Sequence, residues 1–453
     1  MSLQSTNQPK VLLTDTNRWT LSARLAMGLA DAGCRVAGVC VTPGHALSKT
    51  RAVERTFAYS SLHPLRGLTA AIEAFNPDFL IPCCDRSVRH LHDLHSQLGL
   101  GNLKLAHLIE RSLGAPASYS VVSSRYELLK LAGEEGVRIP RTERLQTPEE
   151  MASWQAAKAM PLVLKVDGTW GGGGVRVIHR AGEVQPAMAQ LARMFGLKRA
   201  LKRLVINRDA FWLRPWFDRR PHEMIVQSYI HGRPANCAVA CWEGRVLAGI
   251  SVEVVSSEGA TGPASIVRVV DRPEMISAAV RIASRLGISG VFGLDFMIEK
   301  GSEAAYLIEM NARTTPLCHL RLGPGRDIVG ALWAQLAGQP LPEAPAVTEK
   351  NLIAYFPQPA DGASELLEAA FLDVPHGQPE LLEELRRPWQ DRRFLFRLGN
   401  WVSRRSADRN GSEAPAGRVD FEPRGLPPAC AGEIWSKAGQ TDRACERHSH
   451  EQQ

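Results

Sequence analysis

Gly293-Leu294-Asp295-Phe296-Met297-Ile298, a short polar connection at Glu299–Ala304, and Ala305-Tyr306-Leu307-Ile308-Glu309-Met310-Asn311-Ala312-Arg313 decide how this chain folds. Both flanks are apolar and strand-prone, and the connection is short, so they predict an antiparallel pair. Alternation puts Glu309, Asn311 and Arg313 on one face and Tyr306, Ile308 and Met310 on the other, packed face. Asp295, on the neighbouring strand, can point to the polar side. Two carboxylates and an amide oxygen make a hard, oxygen-rich site. Mg²⁺, with Mn²⁺ as the alternative, suits it, taking a few carboxylates and keeping other positions for phosphate oxygens and water. Arg313 beside the metal would spread the charge of a transferring phosphoryl group. The competing reading is a solvated surface hairpin.

Upstream, Pro161–Val166 predicts a strand that leads into Asp167-Gly168-Thr169-Trp170-Gly171-Gly172-Gly173-Gly174, after which Val175–Ile178 resumes strand character. Glycines let backbone approach phosphate closely and offer it N–H groups, which makes Gly171, Gly172, Gly173 and Gly174 candidate contacts. Lys165 on the preceding strand would add a point charge. No Gly-Lys-Ser/Thr follows, so this is no Walker A loop. A strand rather than a helix follows, so it is no dinucleotide fingerprint. Met224–Gly232 reads as an apolar strand leaving into a turn. Gln227, Ser228, Tyr229 and Ile230 there can present backbone groups to an adenine edge, as a hinge between two lobes.

The N-terminal part alternates strands (Val11–Asp15, Arg35–Val41, Pro77–Pro82) with helical stretches such as Leu21–Ala32, which Gly33 stops. That order implies a parallel sheet with right-handed crossovers. Ligands of such sheets collect at the carboxyl ends of the strands, where Asp15, Thr16, Asn17, Asp85 and Arg86 fall. A helix start at Ser123–Glu127 and a stop at Gly136 open the next unit. A further helix is expected near Met275–Leu286. The turn-rich Gly259–Ser265 leads to Arg268, which can clamp a carboxylate or acylphosphate bidentately or simply stand on the surface. Five units follow: 1–117, 118–225, 226–345, 346–402 and a tail at 403–453 whose polar, Gly/Pro-rich composition predicts disorder.

The chain has 453 residues, a formal charge of +7 and nine cysteines, without a CxxC or a zinc spacing. The charge favours anionic partners. The N-terminus lacks an apolar signal stretch and no apolar run could cross a bilayer, so a cytoplasmic protein with reduced thiols is expected. Residues 197–220 interleave cations with Phe211, Trp212, Trp216 and Phe217, and 386–401 repeats the mixture. Such segments suit an anionic membrane surface, here the inner face, or an acidic partner; helices packing their aromatics inward are the alternative. No nucleic-acid module is present, so nucleic acid is not an expected partner. A homodimer is compatible with the sequence.

The metal hairpin, the glycine loop and the hinge, with their order along the chain, resemble the ATP-grasp superfamily, to which biotin carboxylase and carbamoyl phosphate synthetase belong. The resemblance covers roughly residues 10–335. It implies an α/β fold in which a Rossmann-like parallel-sheet domain precedes a two-lobed ATP-grasp fold. It makes Asp295, Glu309 and Asn311 the metal ligands, with Arg313 in its usual place, and Lys165 a phosphate contact. Arg125 stands where many members carry a Lys that also meets phosphate. The implied reaction uses Mg-ATP to phosphorylate a carboxylate, and an amine or other nucleophile then displaces phosphate. In that reading Arg313, Arg268 and Lys165 are the catalytic residues, and the substrates are a small carboxylate and an amine. Two features depart from the family. Arg233-Pro234-Ala235-Asn236 follows Gly232, where many members carry an acid for the ribose. The 197–220 segment has no counterpart in the common members. The competing functions are an ATP-binding regulator without turnover, and a doubly wound glycosyltransferase or dehydrogenase.

Overall fold

The structure is a computed structural model that describes residues 8–18, 20–41, 44–98, 101–145, 160–168, 173–207, 210–213, 223–257, 262–341, 343–358 and 364–387. β1 (Lys10–Asp15), β2 (Arg35–Cys40), β3 (Arg55–Ala58) and β4 (Phe79–Pro82) form a wholly parallel sheet in the order β3-β2-β1-β4. Its central strands are apolar on both faces, as a sheet covered on both sides requires. Leu12, Ala37 and Leu80 face helices Pro64–Phe75, Asp85–Leu98 and Leu103–Leu113, while Val11, Leu13, Phe79 and Ile81 face the rest of the molecule.

β5 (Thr142–Leu145), β6 (Leu162–Val166), β7 (Val175–Ile178) and β8 (Met224–Ser228) form a small antiparallel sheet ordered β5-β8-β6-β7. Lys165 pairs with Val175 across β6 and β7, so the glycine loop joins two antiparallel strands. The largest sheet is built from β9 (Gly232–Trp242), β10 (Arg245–Ser257), β11 (Ala264–Val269), β12 (Gly290–Glu299), β13 (Ala305–Asn311), β14 (Leu352–Tyr355) and β15 (Phe371–Asp373), ordered β13-β12-β9-β10-β11-β14-β15. One face buries Cys237, Val239, Phe292, Leu294 and Phe296 against helices Arg125–Glu134 and Pro273–Leu286. Full burial of such side chains contributes about 1.5–3 kcal/mol each. The other face carries Ala238, Ala240, Ile250 and Val252 and shares one core with the N-terminal sheet.

Three expectations shift. β8 lies inside the small sheet, so the lobe boundary falls at 229–231, after the expected 225. Helix Arg125–Glu134 packs on the large sheet through Leu128, Leu129 and Leu131, although its sequence opens the small-lobe segment. The piece after 346 is not separate, because β14 and β15 extend the large sheet. Helix Pro379–Arg386 then packs Leu381 and Leu385 against Ala23 and Ala46 of the N-terminal domain. Residues 403–453, most of 386–401 and part of 197–220 lie outside the described residues. Cys34, Cys40, Cys83, Cys84, Cys237, Cys241 and Cys318 are free and buried. Among the described residues no helix is long and apolar enough to cross a membrane.

Candidate active site

β12 and β13 pair antiparallel with Asp295 opposite Glu309 and Gly293 opposite Asn311. A bulge separates that register from Phe296 opposite Leu307, leaving Ile308 as the extra residue. The bulge resets the alternation. Leu307, fully buried, and Met310 belong to the core behind the sheet, whereas Tyr306 and Ile308 are only half-buried. The expected packed face of Tyr306, Ile308 and Met310 is corrected accordingly. Glu309 and Asn311 keep their shared face with Asp295.

Asp295 also faces Asn236 on β9. Asn236 Nδ2 donates to its Oδ1 at 2.6 Å and Asn311 Nδ2 to its Oδ2 at 2.9 Å. Burial pushes the Asp295 carboxyl up and the Glu309 charge adds to this, so it reaches about 6 despite the two amides and Arg313. Burial raises Glu309 as well, but the charges of Arg125 and Lys165 outweigh it and hold Glu309 below the usual carboxylate range. Like charges directly opposite in a ladder repel each other. Two carboxylates held this close suit a divalent cation. Among the described residues no group of three or more His, Cys, Asp or Glu that could hold a metal occurs. The oxygens gathered here are those of the two carboxylates, with amide oxygens beside them.

Three cations surround the pair. Arg125 follows the N-cap Ser124, whose Oγ accepts from Glu127 N at 3.2 Å. Its Nη2 donates to Glu309 Oε1 at 2.6 Å and its Nη1 to Asp167 Oδ1 at 2.8 Å. Its Nε is buried without a hydrogen-bond partner. A guanidinium N–H without a partner among the described residues fits a further anionic acceptor such as a phosphate oxygen. Lys165, 4 % exposed, donates to the Ile308 carbonyl at 3.1 Å. Burial pulls Lys165 down to about 8; Glu309 opposes that fall and Arg125 adds to it. Arg313 Nη2 donates to Asn311 Oδ1 at 2.8 Å, and its Nε to Asp85 Oδ1 at 3.0 Å. Thr314 N reaches the Pro82 carbonyl at 3.3 Å, so the carboxyl end of β4 abuts the site.

The structure thus gathers Arg125, Lys165, Asp295, Glu309, Asn311 and Arg313, together with Asp85. It adds Asp167 and Asn236, which the sequence reading did not assign to this cluster. Asp167 was detectable, because it lies two residues beyond Lys165 and a strand's period returns it to the same side. Arg268 is not gathered. It pairs with Glu253, Glu253 with Ala235, and Ala235 with Phe296. That row points to the face where Phe296 is buried, away from Asp295, and Arg268 is exposed. The clamp expected of Arg268 has no geometric basis. The Gln227 side chain is buried and donates to Thr142 Oγ1 at 3.0 Å, so it is engaged within the small sheet. Ser228 ends β8, and Tyr229 and Ile230 carry the chain towards Gly232, where β9 begins, which gives this stretch the hinge position. Gly173 and Gly174 border β7, with Val166 N donating to the Gly174 carbonyl at 3.0 Å, while Gly171 and Gly172 lie outside the described residues.

A family model described as an ATP-grasp domain matches residues 209–316. A search of the curated proteins found no match. Among solved structures, the chain is similar to an N5-carboxyaminoimidazole synthetase from Staphylococcus aureus complexed with ADP, at 12 % identity and a TM-score of 0.53, over 74 % of this chain and 79 % of that one. A biotin carboxylase from Campylobacter jejuni, in a β,γ-ATP complex, is similar at 15 % identity and a TM-score of 0.53, over 75 % and 73 % of the two chains. An L-amino acid ligase from Bacillus licheniformis is similar at 14 % identity and a TM-score of 0.52, over 74 % and 76 %. Likeness at these identities is a likeness of fold. Taken with the domain match over 209–316, it shows that this chain has the fold of these ATP-grasp proteins.

Proposed function

We propose that this protein is an ATP-dependent ligase that activates a carboxylate as an acylphosphate and couples it to an amine, forming a carbon–nitrogen bond. The observation that carries the reading is the opposed Asp295–Glu309 pair, its two proton affinities pushed apart, with Arg125, Lys165 and Arg313 around it. Asp295, Glu309 and Asn311 would hold Mg²⁺ or Mn²⁺, which when bound neutralises phosphate charge. Lys165 and Arg125 would bind the β- and γ-phosphate oxygens, the orphaned Nε of Arg125 supplying one donor. Arg313, fixed by Asp85 and Asn311, would orient the accepting carboxylate and spread the charge of the transferring group. The carboxylate oxygen bonds to the γ-phosphorus and ADP leaves. The amine then bonds to the acyl carbon, the carbon–oxygen bond to phosphate breaks, and phosphate leaves, taking up the proton that the amine gives up. The glycine loop would exclude water from that intermediate.

ADP and phosphate release in a panel of carboxylates and amines tests the reading. Release stimulated by one acid–amine pair, with a stoichiometric product, is the expected result. Nucleotide binding without stimulated release by any pair would favour an ATP-binding regulator. One observation leans that way. The stretch Arg233–Asn236, which follows Gly232 where the family often has a ribose-binding acid, carries none, and its Arg233 is held in ion pairs with Glu253 and Glu303.

A further inference from the structure

The basic helix Leu197–Asn207 lies between β7 and β8 and takes no part in the site above. Its sequence holds Lys198, Arg199, Lys202 and Arg203 and no acid. Ala200 is buried. Leu197, Leu201 and Val205 are instead 45, 46 and 77 % exposed. A spacing of four residues sets them along one face, so they form an outward apolar stripe. The exposed Lys198 and Lys202 follow Leu197 and Leu201 directly and border that stripe. Just beyond the helix, the turn Ala210–Leu213 seats Phe211 under the Arg86 guanidinium, 4.3 Å from the ring centroid, on the N-terminal domain. Phe211 therefore anchors the end of the segment on the N-terminal domain, while the buried Ala200 and the exposed stripe mark opposite faces of the helix.

An exposed apolar stripe costs hydration free energy unless something covers it. Apolar residues flanked by cations and free of acids complement a surface that is apolar below and anionic above. A protein partner would have to match the stripe in shape as well, and the helix offers no polar hydrogen-bonding side chain between the cations to fix one. We infer that helix Leu197–Asn207 docks the protein on an anionic lipid surface, its Leu197–Leu201–Val205 stripe entering the acyl boundary and its lysines meeting the headgroup phosphates.

Co-sedimentation of the full chain with vesicles tests this. The wild type is expected to pellet with vesicles containing phosphatidylglycerol, not with phosphatidylcholine alone, and less in high salt. The triple variant L197S/L201S/V205S changes only exposed positions, so it should fold normally, and its vesicle affinity should fall by about tenfold or more. The variant K198S/K202S should lose the preference for anionic vesicles. Wild-type protein that stays in the supernatant overturns the inference. So does a triple variant that pellets like the wild type, since other segments would then bind. A concentration-dependent dimer that the triple variant abolishes, without vesicle binding, would make a second copy the occupant and also overturn it.

Discussion

Removing the Glu309 carboxylate relieves a repulsion on Asp295 and, against that, takes one acceptor from Arg125, which keeps Asp167, so the two effects on stability oppose each other. Glu309→Ala should therefore leave the melting temperature close to that of the wild type while ATP turnover falls about a hundredfold or more. Normal turnover in a steady-state ADP assay would remove Glu309 from the site. Lys165→Ala differs in kind. It deletes a buried cation that holds the Ile308 carbonyl, so nucleotide affinity by calorimetry should weaken about tenfold. Unchanged affinity would end its role at the phosphates. Asp295, Glu309 and Asn311 were legible in the sequence because a short polar turn between two apolar runs fixes both pairing and alternation. The partners of Arg125 were not legible. Its contacts to Asp167 and Glu309 span sequence separations of 42 and 184 residues, and no local pattern encodes them.

At the scale of elements, the hairpin is positioned by close backbone approach at its far end. Gly232 begins β9 opposite Glu299, and a Cβ there would lie 1.9 Å from the Ile298 carbonyl oxygen. Backbone cannot step aside as a side-chain tip can. Gly232→Ala should lower stability by about 2 kcal/mol or more and loosen the hinge, which a denaturant titration reads directly. A variant as stable as the wild type would mean that the strands separate freely here. The parallel sheet, the helix bounded by Ser124 and Gly136 and the strand–loop–strand at Lys165 all followed from periodicity and caps. The bulge at Ile308 did not. A bulge adds one residue without any compositional mark, and every side-chain direction beyond it reverses. Arg268 failed for a related reason, since a strand read alone has two faces and only the register of four strands decided between them.

Across the whole molecule, the C-terminal segment is tied back to the first helix. Asp373 at the end of β15 is ion-paired with Arg24 and bonded to His319 Nε2 at 2.8 Å. Burial would raise this carboxyl, but the charge and hydrogen bond of His319, with those of Arg24, bring it down to about 2. A depressed carboxyl contributes stability that is present above its unfolded value near 4 and lost as pH falls through the folded one. Wild type should therefore exceed Asp373→Asn by on the order of 2 kcal/mol near neutrality. The difference should shrink between about pH 4 and pH 2 in parallel denaturant titrations. A gap that stays constant over that range would separate Asp373 from acid stability. No local pattern marks this triad, because its members come from three distant segments.

The seven buried thiols carry a practical consequence. Burial pushes Cys34 and Cys237 up to about 12 and raises Cys83, Cys84, Cys241 and Cys318, so these groups are protonated as well as shielded. An alkylating reagent reaches them only in molecules that have opened, so labelling counts opening events. All seven lie in the N-terminal domain, the large sheet or the segment behind it, and none lies in the small sheet that carries Lys165. A compound that binds the closed protein must slow their labelling, whatever its chemistry and whether or not it reacts. Mass spectrometry of alkylated peptides should thus recognise the missing acid and amine by protection alone. Slowed labelling with ATP, and further slowing with the right acid, is the expected pattern. Rates indifferent to ATP would mean that nucleotide does not bind this cleft.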